Sequence, residues 1–176
     1  MAEAYLELGT NLGDRIGYLA RALSLLEETD GVTLGVMSRV YRSKAWGVME
    51  QPDFLNICIQ IETTLQPHAL LAECKRIEKV LGRQVRERWG PREIDVDILM
   101  MQGVDIDTPT LTIPHARLAE RRFVLDPLSD IAPRWEFDGV PVSLLAETLR
   151  ADEPEQECMP DEKATQRLAE LRGSLK

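Results

Sequence analysis

Cysteine and histidine are both scarce in this chain. The three cysteines, Cys58, Cys74 and Cys158, are odd in number and widely spaced. They argue against a disulfide framework and a cysteine-rich zinc site, and read as reduced thiols in or near a core. Two histidines, His68 and His115, are too few for a centre built on imidazole ligands. Aromatic residues make up only 5%, which leaves little for a sheet that stacks RNA bases. Bases are outnumbered, and a net charge of −9 does not invite nucleic acid to the surface as a whole. No run approaches the roughly 20 apolar residues of a membrane span. The first nine residues are too short and too acidic for a signal peptide, so a soluble, cytoplasmic protein is expected. No Walker pattern is present, because Gly9-Thr10-Asn11-Leu12-Gly13 lacks the Lys-Ser/Thr that would follow. Kinase-type glycine-loop and catalytic-loop signatures are missing too. An ATP enzyme built from this sequence needs another frame for the nucleotide.

What is present suits one domain with one core: 176 residues, 44% of them hydrophobic. Residues 4–9 alternate as a strand, with Leu6 and Leu8 facing the core and Tyr5 sharing the other face with Glu7. Asp14 is placed to cap a helix running to about Glu28. A second strand is expected over 32–42 and a loop over 43–53. Residues 54–62 form the clearest strand: Leu55, Ile57, Ile59 and Ile61 point one way, Phe54, Asn56, Cys58 and Gln60 the other. Pro67 opens a second helix with Leu70, Cys74, Ile77 and Leu81 as its buried stripe, and Gly82 stops it. A strand over 94–101 should turn Ile94, Val96, Ile98 and Met100 to one face. A hairpin over 103–113 and short helices around 124–131 and 142–149 follow. Two strand-helix-strand units in succession indicate an α+β, ferredoxin-like fold with a mostly antiparallel sheet. The division is a catalytic domain over 1–150 and an acidic, then helix-prone, extension over 151–176. The extension reads as an appendage without order up to Pro160, dispensable for activity.

Charge is unevenly spread. Residues 75–92 hold seven bases (Lys75, Arg76, Lys79, Arg83, Arg86, Arg88 and Arg92) against Glu78 and Glu87, whereas residues 151–162 hold six acids and no base. A basic island on an acidic protein fits a local anionic ligand; a solvated helix face is the plainer alternative for Arg76 and Lys79. Next to the island, Asp95-Val96-Asp97 puts two carboxylates on one face of a strand, with Cα atoms about 6.6 Å apart. Such a pair loses hydration and repels itself unless a cation lies between, and magnesium takes one or two carboxylates together with substrate phosphates. Asp-x-Asp alone more often means solvated acids. Here, Arg88-Trp89-Gly90-Pro91-Arg92 adds forked donors for phosphate. Thr112, His115 and Arg121 add a hydroxyl, an imidazole and a further guanidinium. Phe54 and Asn56 on one strand face, with Phe123 as a second ring, are the parts of a slot for a flat heterocycle. Taken singly, each reads more readily as core.

Four stretches carry a resemblance to a known family: GTNLGDR, YRSKAWGVMEQPDFLN, RWGPREIDVDIL and LTIPHARLAERRFVLDPLSDIAP. They resemble 6-hydroxymethyl-7,8-dihydropterin pyrophosphokinases over about residues 4–149. The resemblance implies a three-layer α/β/α variant of the ferredoxin-like fold and transfer of diphosphate from ATP to the pterin, with AMP leaving. It assigns Asp95 and Asp97 to two Mg2+ ions. It places the pterin between Phe54 and Phe123, near Asn56, Ser43, Trp46 and Asp95. ATP is placed against Lys75, Glu78, Arg88, Trp89, Arg92, Ile98, Leu111, Thr112, His115 and Arg121. Arg92, with Arg83 or Arg86, would neutralise transition-state charge from a loop that is mobile without ATP. A monomer binding these two small molecules, and neither nucleic acid nor membrane, is expected. Ala45 stands where the family usually has Pro, Thr10 replaces a usual Ser, and Ala116 replaces a common Tyr or Pro. The loop before Arg88 is one residue shorter than in some relatives, so Arg83 and Arg86 cannot be told apart by position. A two-metal nuclease would share the carboxylate pair but calls for more acidic or histidine ligands. An RNA-binding module calls for a basic, aromatic sheet.

Overall fold

The computed structural model describes residues 1–45, 50–86, 88 and 90–175. Strands β1 (Ala2–Thr10), β4 (Phe54–Thr63) and β5 (Asp95–Met101) form the centre of an antiparallel sheet. β2 (Val32–Met37) and β3 (Tyr41–Ser43) both pair with β4, and β10 (Cys158–Pro160) extends the sheet beyond β3. The expected single strand over 32–42 is thus two. The chain breaks at Ser38, whose Oγ accepts from Cys58 N at 2.9 Å while its own N–H donates to the Cys58 carbonyl at 2.9 Å.

Helices α1 (Arg15–Glu27), α2 (Pro67–Val80) and α5 (Glu162–Leu175) cover one face of the sheet. Leu6, Leu8, Ile57, Ile59, Leu23, Ile77 and Leu168 meet there in one core. Helices α3 (Arg122–Ile131) and α4 (Val142–Asp152) cover the other face with Tyr5, Cys58, Leu99 and Val124. Three layers result because the strands are apolar on both faces. The local signals act as expected: Asp14 accepts from Gly17 N at 3.1 Å to cap α1, Pro67 opens α2, and Gly82 leaves it at φ +86°. Between β5 and α3 lie two short paired strands, β6 (Ile106–Asp107) and β7 (Thr112–Ile113); β8 (Glu136–Phe137) pairs with β9 (Val140–Pro141) ahead of α4.

Two expectations fail for physical reasons. Met100 does not share a face with Ile94, Val96 and Ile98, because the register slips between the Leu6–Ile98 and Tyr5–Met100 pairs. A bulge of one residue sends Leu99 and Met100 into the second core and returns Met101 to the first. The acidic extension is also ordered before Pro160. Its residues 158–160 pair with 41–43 on β3, Asp161 Oδ1 accepts from Ala164 N at 2.9 Å to cap α5, and Leu168 is fully buried against α1. A dense acidic stretch can order here because its main chain completes a sheet edge and Arg42 meets Asp161 at 2.7 Å.

Candidate active site

The second face of the sheet changes from core to cleft along its length. Tyr5 and Cys58 are covered by α3 and α4, whereas Asn56, Gly9 and Asp95 stand opposite one another across β4, β1 and β5 at the open end. One row deeper, Cys58, Glu7 and Asp97 are aligned in the same way. The cleft is lined by Phe54 of β4 and Ser43 of β3, by Phe123 of α3 with Arg121 just before it, and by Arg92 and Asp95. Asn56 Nδ2 donates to Ser43 Oγ at 2.8 Å, which leaves Oδ1 turned towards Gly9. A Cβ at Gly9 would lie 2.9 Å from that oxygen and 3.2 Å from Glu7 Oε1, so only glycine keeps the floor of the slot open. The Arg92 guanidinium lies 6.0 Å from the Phe54 ring centre, and that of Arg121 lies 5.4 Å from the ring of Phe123.

The carboxylate pair has the unequal electrostatics that burial and charge impose. Burial works to raise Asp95, but Arg83, Arg92 and Lys75 outweigh it and hold its carboxyl below the ordinary value. Arg83 Nη1 donates to Asp95 Oδ1 at 2.6 Å and Arg92 Nη1 to Oδ2 at 3.1 Å. Among the described residues, no guanidinium clamps Asp97 in the same way. Burial, then the charge of Asp95, pushes it up to about 7. Glu78 supports the pair from α2: its Oε2 accepts from Val96 N at 3.0 Å and its Oε1 from Arg83 at 2.8 Å, while Lys75 Nζ lies 3.2 Å away. His115 is held neutral, its pKa lowered by burial and by Arg121.

Of the expected site residues, Ser43, Phe54, Asn56, Arg92, Asp95, Arg121 and Phe123 line this cleft; Asp97 lies one row deeper, and Arg83 reaches it through Asp95. Ile98 and Leu111 are core side chains on the opposite face, able to offer a ligand only main-chain atoms. Thr112 lies on β7, its Oγ1 3.4 Å from Asp107 Oδ1, and Arg88 is exposed. Trp46 and Trp89 lie outside the described residues. The two loop arginines differ in their partners: Arg83 reaches Asp95 and Glu78, whereas Arg86 pairs with Glu93 at 2.7 Å. Both guanidiniums therefore have a carboxylate partner within the protein.

Three contributors escape the sequence reading. Glu7 is 3% exposed and lines the cleft, its Oε1 without a hydrogen-bond partner among the described residues, and burial followed by Asp97 and Asp95 drives its pKa well above normal. The signal was there, an acid alternating with apolar residues on β1. Asn11 joins the loops: its side chain accepts from Arg92 N at 2.9 Å and donates to Gln51 Oε1 at 2.8 Å. Arg122, beside Phe123, is buried and bound to the C-terminal segment, which nothing local in its sequence announces.

Metal fit rests on the donor set. Among the described residues no three His, Cys, Asp or Glu side chains cluster as a cage. Asp95 and Asp97 together suit magnesium, which takes few carboxylates and completes its shell with water and phosphate oxygens. No described helix is long and apolar enough to cross a membrane.

Residues 5–133 match the family model for 7,8-dihydro-6-hydroxymethylpterin-pyrophosphokinase. The chain is 45% identical over 139 residues to a 2-amino-4-hydroxy-6-hydroxymethyldihydropteridine pyrophosphokinase of Methylorubrum extorquens, covering 79% of this chain and 88% of that one. Its identity to the same enzyme of Aquifex aeolicus is 46% over 133 residues, with 76% and 82% covered. Among solved structures, a bifunctional HPPK-DHPS in complex with substrates superposes with a TM-score of 0.69 at 14% identity, a likeness of fold alone; 88% of this chain is covered but only 44% of that longer one. On the strength of the model match and of these relatives, the chain belongs to the 7,8-dihydro-6-hydroxymethylpterin-pyrophosphokinase family.

Proposed function

We propose that this cleft transfers diphosphate from ATP to 6-hydroxymethyl-7,8-dihydropterin in folate synthesis, with AMP leaving. The observation that carries the assignment to the cleft is the juxtaposition of an aromatic slot, Phe54 and Phe123, with a buried carboxylate pair beside three cations. The pterin ring stacks between the two phenylalanines, and Asn56 and Ser43 read its edge by hydrogen bonds. Asp95 and Asp97 would hold Mg2+, which would supply neutralisation of phosphate charge and a lowered pKa for the attacking hydroxyl. The hydroxymethyl oxygen attacks the β-phosphorus in line, and the bond to the AMP oxygen breaks.

The chain's own residues supply orientation and charge. Arg92 and Arg121 each lie against one of the slot's aromatic rings, so their guanidiniums meet the polyphosphate where it approaches the pterin. Arg83 serves as the loop arginine: it leaves Asp95 for the transferring phosphate as ATP binds, and Arg86 stays with Glu93. Lys75 and Arg88 add phosphate contacts, His115 contributes a neutral imidazole, and Thr112 with the main chain of Ile98 and Leu111 frames the adenine. Glu78 acts through Lys75 and Arg83. The protein works as a cytoplasmic monomer. Incubation with ATP, magnesium and the dihydropterin tests the reading: AMP and pterin diphosphate should appear together, and formation of ADP would overturn it.

A further inference from the structure

The family match ends at residue 133, yet residues beyond it bind both walls of the slot. On the wall carrying Ser43, strand β10 pairs Cys158 with Ser43, and the Glu157 carbonyl accepts from Lys44 N at 3.2 Å. On the wall carrying Phe123, the adjacent Arg122 is gripped from three directions. Its main-chain N–H donates to Gln156 Oε1 at 3.0 Å, its Nη1 to the Gln156 carbonyl at 2.6 Å, and its Nη2 to the Cys158 carbonyl at 3.0 Å. Gln156 also donates to the Glu120 carbonyl at 3.0 Å, so it holds the chain on both sides of Arg121. Behind the slot, between these same walls and the C-terminal segment, lies a second cavity that shares Ser43, Lys44 and Phe123 with the first. Packing of Val124, Leu125 and Leu128 on the sheet, with Asp130 bound to Arg39 and Tyr41, seats the body of α3, whereas at its first turn hydrogen bonds from residues 156–158 join Arg122 to the side carrying Ser43.

We propose that residues 156–161 are a strap that positions the pterin slot, with Gln156 and Arg122 as positioning residues that set where Phe123 stands relative to Ser43. The inference rests on the reading of Phe54, Ser43 and Phe123 as the pterin slot. A stacked ring needs its two aromatic walls at one separation, and a wall released by even a fraction of an ångström loses contact on one face. The anchor at the other end is Asp161, which holds Arg42 on β3 and caps α5, so the strap is tied to the sheet and to the first core alike.

The experiment compares Gln156→Ala, Arg122→Lys and Phe123→Ala in the full chain. It measures binding of the dihydropterin in the presence of magnesium and a non-hydrolysable ATP analogue, binding of that analogue alone, and melting temperature. Gln156→Ala removes the side-chain contacts of a half-exposed residue to Arg122, Glu120 and Glu153. Arg122→Lys keeps the charge but loses the fork that joins two carbonyls. Both should weaken the pterin by about fivefold or more, the scale of one net hydrogen bond, with the ATP analogue bound as before. Amide exchange at Lys44 and Phe123 should quicken in both. Unchanged pterin affinity in either variant while Phe123→Ala loses it would overturn the strap and leave the slot intact. Equal loss of both ligands with a lowered melting temperature would reduce the segment to plain structural support and likewise overturn it. A Phe123→Ala protein that binds pterin normally would bring down the slot assignment, and the strap with it.

Discussion

Asp95 and Asp97 are two residues apart on one strand, and yet their neighbours shift their pKa values in opposite directions. Arginines on both sides keep Asp95 ionised; Asp97 has burial and the charge of Asp95 against it. Its pKa rises from 3.8 to about 7, so between these values the folded protein binds more protons than the unfolded chain. Its contribution to stability is full below about pH 4 and is lost as pH climbs through 7. Asp97→Asn should therefore raise the melting temperature of the metal-free protein more at pH 8 than at pH 5, while removing most turnover. Thermal melts at the two pH values check the sign, and a pH-independent difference would contradict it. Phe54→Ala should weaken dihydropterin by about 1–3 kcal/mol, as base–aromatic stacking does, and leave ATP nearly untouched; calorimetry with each ligand separates the two.

The segment between α2 and β5 shows how an element's behaviour depends on partners outside it. Arg83 and Arg86 are three residues apart and alike in sequence, but Glu78 on α2 and Asp95 on β5 claim the first, and Glu93 claims the second. ATP must compete with Asp95 for Arg83. Arg83→Ala should thus lower kcat by tenfold or more, on the order of 1.4 kcal/mol, with a smaller effect on ATP affinity, because the contact gains most as charge develops. Arg86→Ala should do less to kcat. Steady-state kinetics of the two variants decide between them. The strand that follows was legible from alternation, and Asp95 and Asp97 fell on one face as period two requires. Met100 was not, since the bulge that turns it over is set by pairing with β1 and leaves no mark in the local pattern.

At the scale of the molecule, the C-terminal extension belongs to the core. Leu168 is fully buried and Ala164 nearly so, on the face of α5 that meets α1. Leu168→Ala should cost about 2–5 kcal/mol in denaturant unfolding, the usual range for a truncated core leucine. Deleting residues 151–176 should lower stability further, since it exposes the edge of β3 and the outer side of α1 together. A truncated chain that melts like the full one would show that α5 docks without consequence.

Local rules account for much of this protein. Alternation gave β1, β4 and β5 their faces, Asp14, Pro67 and Gly82 set helix ends, and the Asp95-Val96-Asp97 spacing displayed two carboxylates together, because each depends on residues within a turn or a pleat. The composition of residues 151–162 pointed the other way, towards a solvated tail, and was overruled. An acidic segment orders when a distant strand lacks a neighbour and distant arginines lack partners, and neither condition can be read within the segment. Alternation on β1 placed Glu7 on the face of Tyr5, but the depth of its burial follows from the layers stacked over the sheet. Which of two equivalent arginines meets Asp95, and where Phe123 stands relative to Ser43, were decided only in the tertiary fold, where Arg83 meets a carboxylate 12 residues on and Arg122 meets Gln156 34 residues on.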